Sequence, residues 1–377
     1  VLGSFPAAGV NRDPSPDIDN RNDLHMKILV HESITGGGLG SSAVAPTLLA
    51  EGRMMLEALV ADLLRLREHE LLLLIDRGRV GPIPRHPRLH VRDVGGDYRQ
   101  AVRKAVEEVD AVLLLAPETG GLLGRLTALV ESRGKFVLGA SSGAIACAGD
   151  KARTYRALHT HGIPTPETHQ VRNFDDLASL ARHLAYPVVL KPLDGAGCQS
   201  VLIARRKAEL QRAYLSAVLE TGQDRHVVQR YVEGVHASVS VMTDGVRSVP
   251  LTLNRQEIKG RTRLRYHGGR VPLRHRLSSL AFRRANQVVS AIPGLKGYVG
   301  LDIVLTDQDA VVIEVNPRLT TSYVGIRKVV AQNVGAMIIG AAMGDLPDPG
   351  TIEVVGTAEF STRSRPLADR GGLRWRP

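Results

Sequence analysis

Two cysteines, Cys147 and Cys198, in 377 residues exclude a disulfide scaffold. Their wide spacing suits a reducing compartment, and a cytoplasmic location is expected. Aromatic residues make up only 4% of the chain, with a single tryptophan, so few rings are available for nucleic-acid bases to stack on. No apolar run approaches the roughly eighteen residues that a membrane-spanning helix requires. Residues 1–25 contain no apolar h-region and are rich in Pro, Asp and Asn, which excludes a cleaved secretory signal and predicts a disordered leader or extension. The dinucleotide-binding G-x-G-x-x-G spacing is missing, and no Ser-His-Asp or Cys-His arrangement offers a side-chain nucleophile.

The charge, by contrast, is strongly one-sided at +11. The arginines are spread along the chain rather than gathered in runs, which favours small acidic substrates over DNA or RNA. Short apolar strands at 28–30, 71–75, 111–115 and 136–138 alternate with helices at 46–66 and 98–109. That order predicts a doubly wound parallel sheet whose ligands gather beyond the strand C-termini. Glycine-rich loops at 35–38 and 118–121 follow two of those strands and are expected to line a pocket. A helix is expected to contain Asp150 and Lys151, and the first domain boundary falls close by. From residue 227 the pattern changes to paired antiparallel strands, 236–242 with 249–253, which marks a new α+β unit. Helices are predicted over 278–291 and 323–343, with irregular chain beyond. The domain plan is therefore 1–25 leader, 26–145 α/β domain, 146–345 second α+β domain and 346–377 irregular tail.

The most informative stretch is the apolar pair 300–305 and 311–315, separated by Asp307-Gln308-Asp309, which reads as a hairpin. Pairing Thr306 with Ala310 would set Asp302 opposite Glu314, with β-carbons about 4.5–5.5 Å apart. Asn316 shares that face by alternation. The other face would carry Leu301, Ile303, Leu305, Val311, Ile313 and Val315. Two facing carboxylates repel unless a cation joins them, and hard oxygen donors suit Mg²⁺, or Mn²⁺ in its place. Arg318, just past Pro317, can reach the same point. Lys191 ends a strand at 187–191 beside a turn containing Gly195 and Gly197, a suitable holder for phosphates. Residues 254–277 are strongly basic, contain Gly268-Gly269 and lack clear periodicity, which predicts a lid. Arg255 and Arg270 are its candidates for contacting an acidic substrate.

These motifs together resemble the ATP-grasp ligases over residues 26–343: Asp150-Lys151, Val189-Leu190-Lys191-Pro192 with its glycine turn, Gln229–Gly234, and Asp302 with Glu314-Val315-Asn316-Pro317-Arg318. The resemblance implies an N-terminal pre-ATP-grasp sheet followed by a two-subdomain ATP-grasp fold. It implies that Lys151 and Lys191 meet ATP phosphates or the adenine rim, and that Gln229, Arg230 and Val232 form the adenine hinge. Asp302, Glu314 and Asn316 would bind two Mg²⁺. His236 stands where many members hold the ribose with a glutamate. The openings Thr35-Gly36-Gly37-Gly38, Leu253–Ile258 and Tyr266–Gly269 are similar to the tyramine–glutamate ligase group of methanofuran and methylofuran biosynthesis. That similarity implies amide formation through an acyl phosphate, with L-glutamate as acid and tyramine or tyrosine as amine. Tyr266 and Glu118 are then candidates for the amine pocket. Ligases resembling D-alanine–D-alanine ligase or carbamoyl phosphate synthase, a kinase or carboxylase on the same nucleotide site, and a non-enzymatic nucleotide-binding module are the alternatives. No nucleic-acid or membrane partner is expected, and a homodimer is left open.

Overall fold

The computed structural model describes residues 25–40, 44–195, 197–198, 200–222 and 225–362. The expected leader, apart from His25, and the last fifteen residues lie outside that set. The first unit runs β1 (Lys27–Glu32), α1 (Pro46–Leu63), β2 (Glu70–Ile75), α2 (Arg77–Val80), β3 (Leu89–Asp93), α3 (Tyr98–Glu107), β4 (Ala111–Leu115), α4 (Leu122–Ser132) and β5 (Phe136–Val137). Its five strands pair in parallel in the order β3-β2-β1-β4-β5. Leucine-rich strands such as Leu71–Ile75 tolerate burial on both faces. Leu71 and Leu73 pack with Leu56, Leu59 and Leu63 of α1, whereas Leu72 and Leu74 pack with Val102, Val106, Leu123 and Val130 of α3 and α4. The sheet is doubly wound. β3 and α2 were absent from the predicted pattern because β3, Leu-His-Val-Arg-Asp, buries only its first residue.

The second unit comprises α5 (Ser142–Ala148), α6 (Lys151–Thr160), β6 (Thr168–Val171), α7 (Phe174–Leu184), β7 (Val188–Pro192), β8 (Leu202–Ala204), α8 (Lys207–Thr221) and β9 (His226–Arg230). The helix expected around Asp150 is two helices. The Asp150 carboxylate accepts the backbone N–H groups of Ala152 and Arg153, so it caps α6 rather than continuing α5. The four strands pair antiparallel as β6-β9-β7-β8. Leu177, Ala181 and Leu184 of α7 cover one face of this sheet together with Leu210, Ala213 and Ala217 of α8.

The third unit contains β10 (Val235–Thr243), β11 (Ser248–Lys259), β12 (Arg265–Val271), α9 (Ser278–Ala291), β13 (Gly297–Leu305), β14 (Ala310–Asn316), α10 (Tyr323–Val329), α11 (Val334–Ala342) and β15 (Ala358–Ser361). Its sheet is antiparallel, in the order β14-β13-β10-β11-β12-β15. Three expectations are corrected. The basic segment 254–277 is largely strand, paired Arg255 with Arg270 and Lys259 with Arg265. The helix expected over 323–343 breaks after Val329. Ala331 N–H bonds Glu353 O there, and Asn333 caps the next helix. The tail is not wholly irregular, since β15 adds to the free side of β12.

Helix α1 ties the first unit to the third. Buried Asp62 accepts hydrogen bonds from Tyr323 Oη at 2.5 Å and from Arg327 at 2.6–3.0 Å. A buried carboxylate with that many donors is stabilised rather than stranded. Among the described residues no helix is long and apolar enough to cross a membrane.

Candidate active site

The four-stranded and six-stranded sheets face each other across a cleft of about 1230 Å³, its open mouth included. Val189, Lys191, Gln229 and Arg230 line one wall, and Gln256, Tyr266, Asp302 and Glu314 line the other. Asp302 does sit opposite Glu314, but by a different register from the one expected. The hairpin closes one residue tighter, pairing Leu305 with Ala310, Val304 with Val311 and Ile303 with Val312. A bulge at Ile313 then restores the Asp302–Glu314 pair. The core face is therefore Leu301, Ile303, Leu305, Ala310, Val312 and Val315. Val311 and Ile313 leave it, and Ile313 lines the cleft.

Asp302 Oδ1 accepts from Gln256 Nε2 at 2.8 Å, and the Asn316 side chain bonds the same carboxyl. Burial, and after it the Glu314 charge, push the Asp302 carboxyl up to about 7. Lys151 Nζ stands 3.3 Å from Glu314 Oε1 and donates to Gly195 O at 2.6 Å. Lys191 is buried, and desolvation lowers its pKa against the opposing pull of Glu314. Two repelling carboxylates beside an amide form an oxygen donor set that fits a hard divalent cation, and its charge would cancel the repulsion that raises Asp302. The lysines are placed to meet anionic groups in the same space.

The turn after β7 brings Gly195 and Gly197 to the cleft, with Gly197 and Cys198 in the left-handed region at φ 65° and 60°. Burial and the nearby acids push the Cys198 thiol up to about 12, so it stays protonated. Gln229 is buried and donates across the strand pair to Thr168 Oγ1 at 2.8 Å, bracing β9 against β6. Arg230, Val232 and His236 reach the cleft, and burial lowers the His236 imidazole, with Lys191 adding to the shift.

Arg318 also lines the cleft. Its Nε and one terminal nitrogen each donate to a Glu118 carboxylate oxygen at 3.0 Å, with both residues largely buried. Glu118 is thus engaged by a protein cation and is not free for an amine. The loop 35–38 does not line the cleft. Thr35 is fully buried, and its N–H and hydroxyl bond Glu32. Arg255 and Arg270 are not in the cleft either. Along β11 the side chains alternate, so Gln256 and Ile258 face the cleft while Arg255, Glu257 and Lys259 face an outer groove shared with Arg270. Arg255 pairs there with Glu257 at 3.1 Å. Glu51 of α1 lines the cleft without any sequence signal and accepts a hydrogen bond from the Thr321 hydroxyl; Ser238, Thr320, Thr321 and Ser322 line it as well. A single acid on a helix carries no local signal of such a partner.

Two antiparallel sheets clasping a cleft, behind a doubly wound parallel domain, define a nucleotide-grasping enzyme fold. Residues 148–322 match the ATP-grasp domain and residues 70–145 the pre ATP-grasp 3 domain. The chain thus carries a pre ATP-grasp 3 domain followed by an ATP-grasp domain. The tyramine–L-glutamate ligase of Methanocaldococcus fervens is 33% identical over 59% of this chain and 62% of its own length. That of Methanocaldococcus jannaschii is 31% identical over 59% of each. The chain thus spans about three fifths of the length of these curated relatives. An ATP-grasp superfamily protein of Archaeoglobus fulgidus superposes with a TM-score of 0.64 at 26% identity, covering 84% of this chain and 88% of that one.

Proposed function

We propose that the protein is an ATP-dependent carboxylate–amine ligase that joins the γ-carboxyl of L-glutamate to tyramine or tyrosine, as in methanofuran- or methylofuran-type cofactor biosynthesis. The observation that carries the ligase reading is the charge pattern of the cleft, with Lys151 and Lys191 converging on Asp302, Glu314 and Asn316. The likeness to ligases named for tyramine and L-glutamate supports the choice of substrates.

In this reading the glutamate carboxylate attacks the γ-phosphorus of ATP, releasing ADP and forming an acyl phosphate. The neutral amine then attacks the acyl carbon, the C–O bond to phosphate breaks, and the amide and phosphate leave. Mg²⁺ held by Asp302, Glu314 and Asn316 would supply the charge neutralisation that phosphoryl transfer needs. Lys151 and Lys191 hold phosphate oxygens, and Arg318 offsets the charge that develops as phosphate leaves. Gln229, Arg230, Val232 and His236 are the candidates for nucleoside contacts, under the turn that carries Gly195 and Gly197. Glu51 and Tyr266 are the candidates for the amine. Desolvation between the two sheets protects the acyl phosphate from water.

Product mass spectrometry after incubation with ATP, Mg²⁺, L-glutamate and each amine tests this directly. A γ-glutamyl amide of tyramine or tyrosine is the expected product. Efficient ligation of other pairs, with neither amide formed, would overturn the substrates but keep the ligase. ADP formation independent of any amine, with no amide product, would overturn the ligase reading in favour of a kinase or carboxylase.

A further inference from the structure

A second cluster of ligand-bearing side chains lies outside the cleft, on the outer side of the four-stranded sheet. Glu167 immediately precedes β6 and His169 lies within it, so alternation turns both the same way, while Thr168 between them turns inward to accept from Gln229. The last turn of α7 brings His183 over the same face. His169 Nε2 and His183 Nε2 lie 2.8 and 3.0 Å from a single oxygen, Glu167 Oε1. The two imidazoles meet edge to face with centroids 5.9 Å apart. One ligand atom from each of the three residues falls within 4.8 Å of the others.

We propose that Glu167, His169 and His183 form a binding site for a divalent transition-metal ion, best matched by Zn²⁺ and separate from the acids of the cleft. Zn²⁺ takes imidazole nitrogen at about 2.0–2.1 Å and carboxylate oxygen at about 2.0–2.2 Å, in tetrahedral geometry, which sets neighbouring ligand atoms roughly 3.3 Å apart. The two imidazole–carboxylate contacts need to widen by only a few tenths of an ångström to admit the ion. Two imidazoles and one carboxylate disfavour Mg²⁺ and Ca²⁺, which prefer oxygen donors. The His183 side chain is 66% exposed, which leaves a fourth position open to water. The ion fastens the end of α7 to β6. That strand borders the cleft wall, because Arg230 N–H donates to Glu167 O at 3.4 Å and Gln229 donates to Thr168.

Calorimetric titration of Zn²⁺ into the full chain, with excess Mg²⁺ and ADP filling the cleft, tests the site. One Zn²⁺ per chain is expected in the wild type, with affinity at least tenfold weaker in the double variant His169→Gln/His183→Gln. Both histidines are partly open to solvent, so the metal-free melting temperature of that variant should stay close to wild type. If the double variant melts early, His183→Gln alone is examined with Co²⁺, whose visible absorption in the wild type should report nitrogen ligation and should weaken in the variant. Absence of saturable Zn²⁺ binding in the wild type, or Zn²⁺ affinity or Co²⁺ absorption unchanged by the substitutions, would overturn the site.

Discussion

The Glu118→Gln substitution separates two roles for one buried acid. Glu118 grips Arg318 through two 3.0 Å hydrogen bonds, and the two side chains are only 7% and 14% exposed. Removing one partner of a buried ion pair costs about 3–5 kcal/mol, because the remaining charge is stranded. Glutamine keeps the volume and one acceptor oxygen but turns an amide donor toward the guanidinium, so a loss of about 3 kcal/mol is expected. Urea unfolding should show that loss as a lower midpoint. Arg318 would also lose its aim at the cleft, and kcat should fall by about tenfold to a hundredfold, since small misplacements at a reacting centre are that costly. The KM for the amine should change much less than kcat. A raised amine KM with the unfolding midpoint unmoved would refute this reasoning and return Glu118 to the role of an ammonium partner.

The other expectations rest on the acids, the outer arginines and one buried histidine. Asp302→Ala and Glu314→Ala should each reduce turnover at saturating Mg²⁺ at least a hundredfold with near-native circular dichroism; ADP production above a hundredth of wild type would contradict metal ligation. Arg255→Ala and Arg270→Ala should leave kcat and KM within about twofold, because those side chains face away from the cleft, and a tenfold rise in the glutamate KM would reverse that conclusion. His31 is fully buried, and desolvation lowers its imidazole to about 4. Its contribution is complete above pH 6.5 and is lost as pH falls toward 4, about 3 kcal/mol in all. His31→Gln should flatten the stability profile across that window, and parallel wild-type and variant profiles would refute it.

The parallel sheet and the carboxylate hairpin were legible in the sequence because both have a one-sided or wholly apolar pattern. The hairpin's register was not, since a bulge at Ile313 changes pairing without changing composition. The second half of β11 and the whole of β12 were hidden for a different reason. Gln256 and Tyr266 face a polar cleft, and Arg255, Lys259 and Arg270 face an outer groove, so the region lacks the apolar alternation that marks a strand. By contrast, Leu177, Ala181 and Leu184 repeat at helical spacing after an Asn173 cap, which is a readable signal for α7. The roles of Glu51 and Glu118 depend on partners 270 and 200 residues away and leave no local trace.

The short strand β15 has a consequence for handling the protein. It occupies the outer side of β12, with Gly268 opposite Ser361 and Val271 opposite Ala358. The Phe360 ring rests in the space that Gly269 and Gly325 leave by having no side chains. A truncation ahead of Ala358 would uncover a row of unpaired N–H and C=O groups and an apolar hollow together. Bare strand edges of that kind recruit other chains. Shortened versions should therefore self-associate and precipitate even where the cleft acids are intact, and fusion tags or crystallisation boundaries belong beyond Ser361.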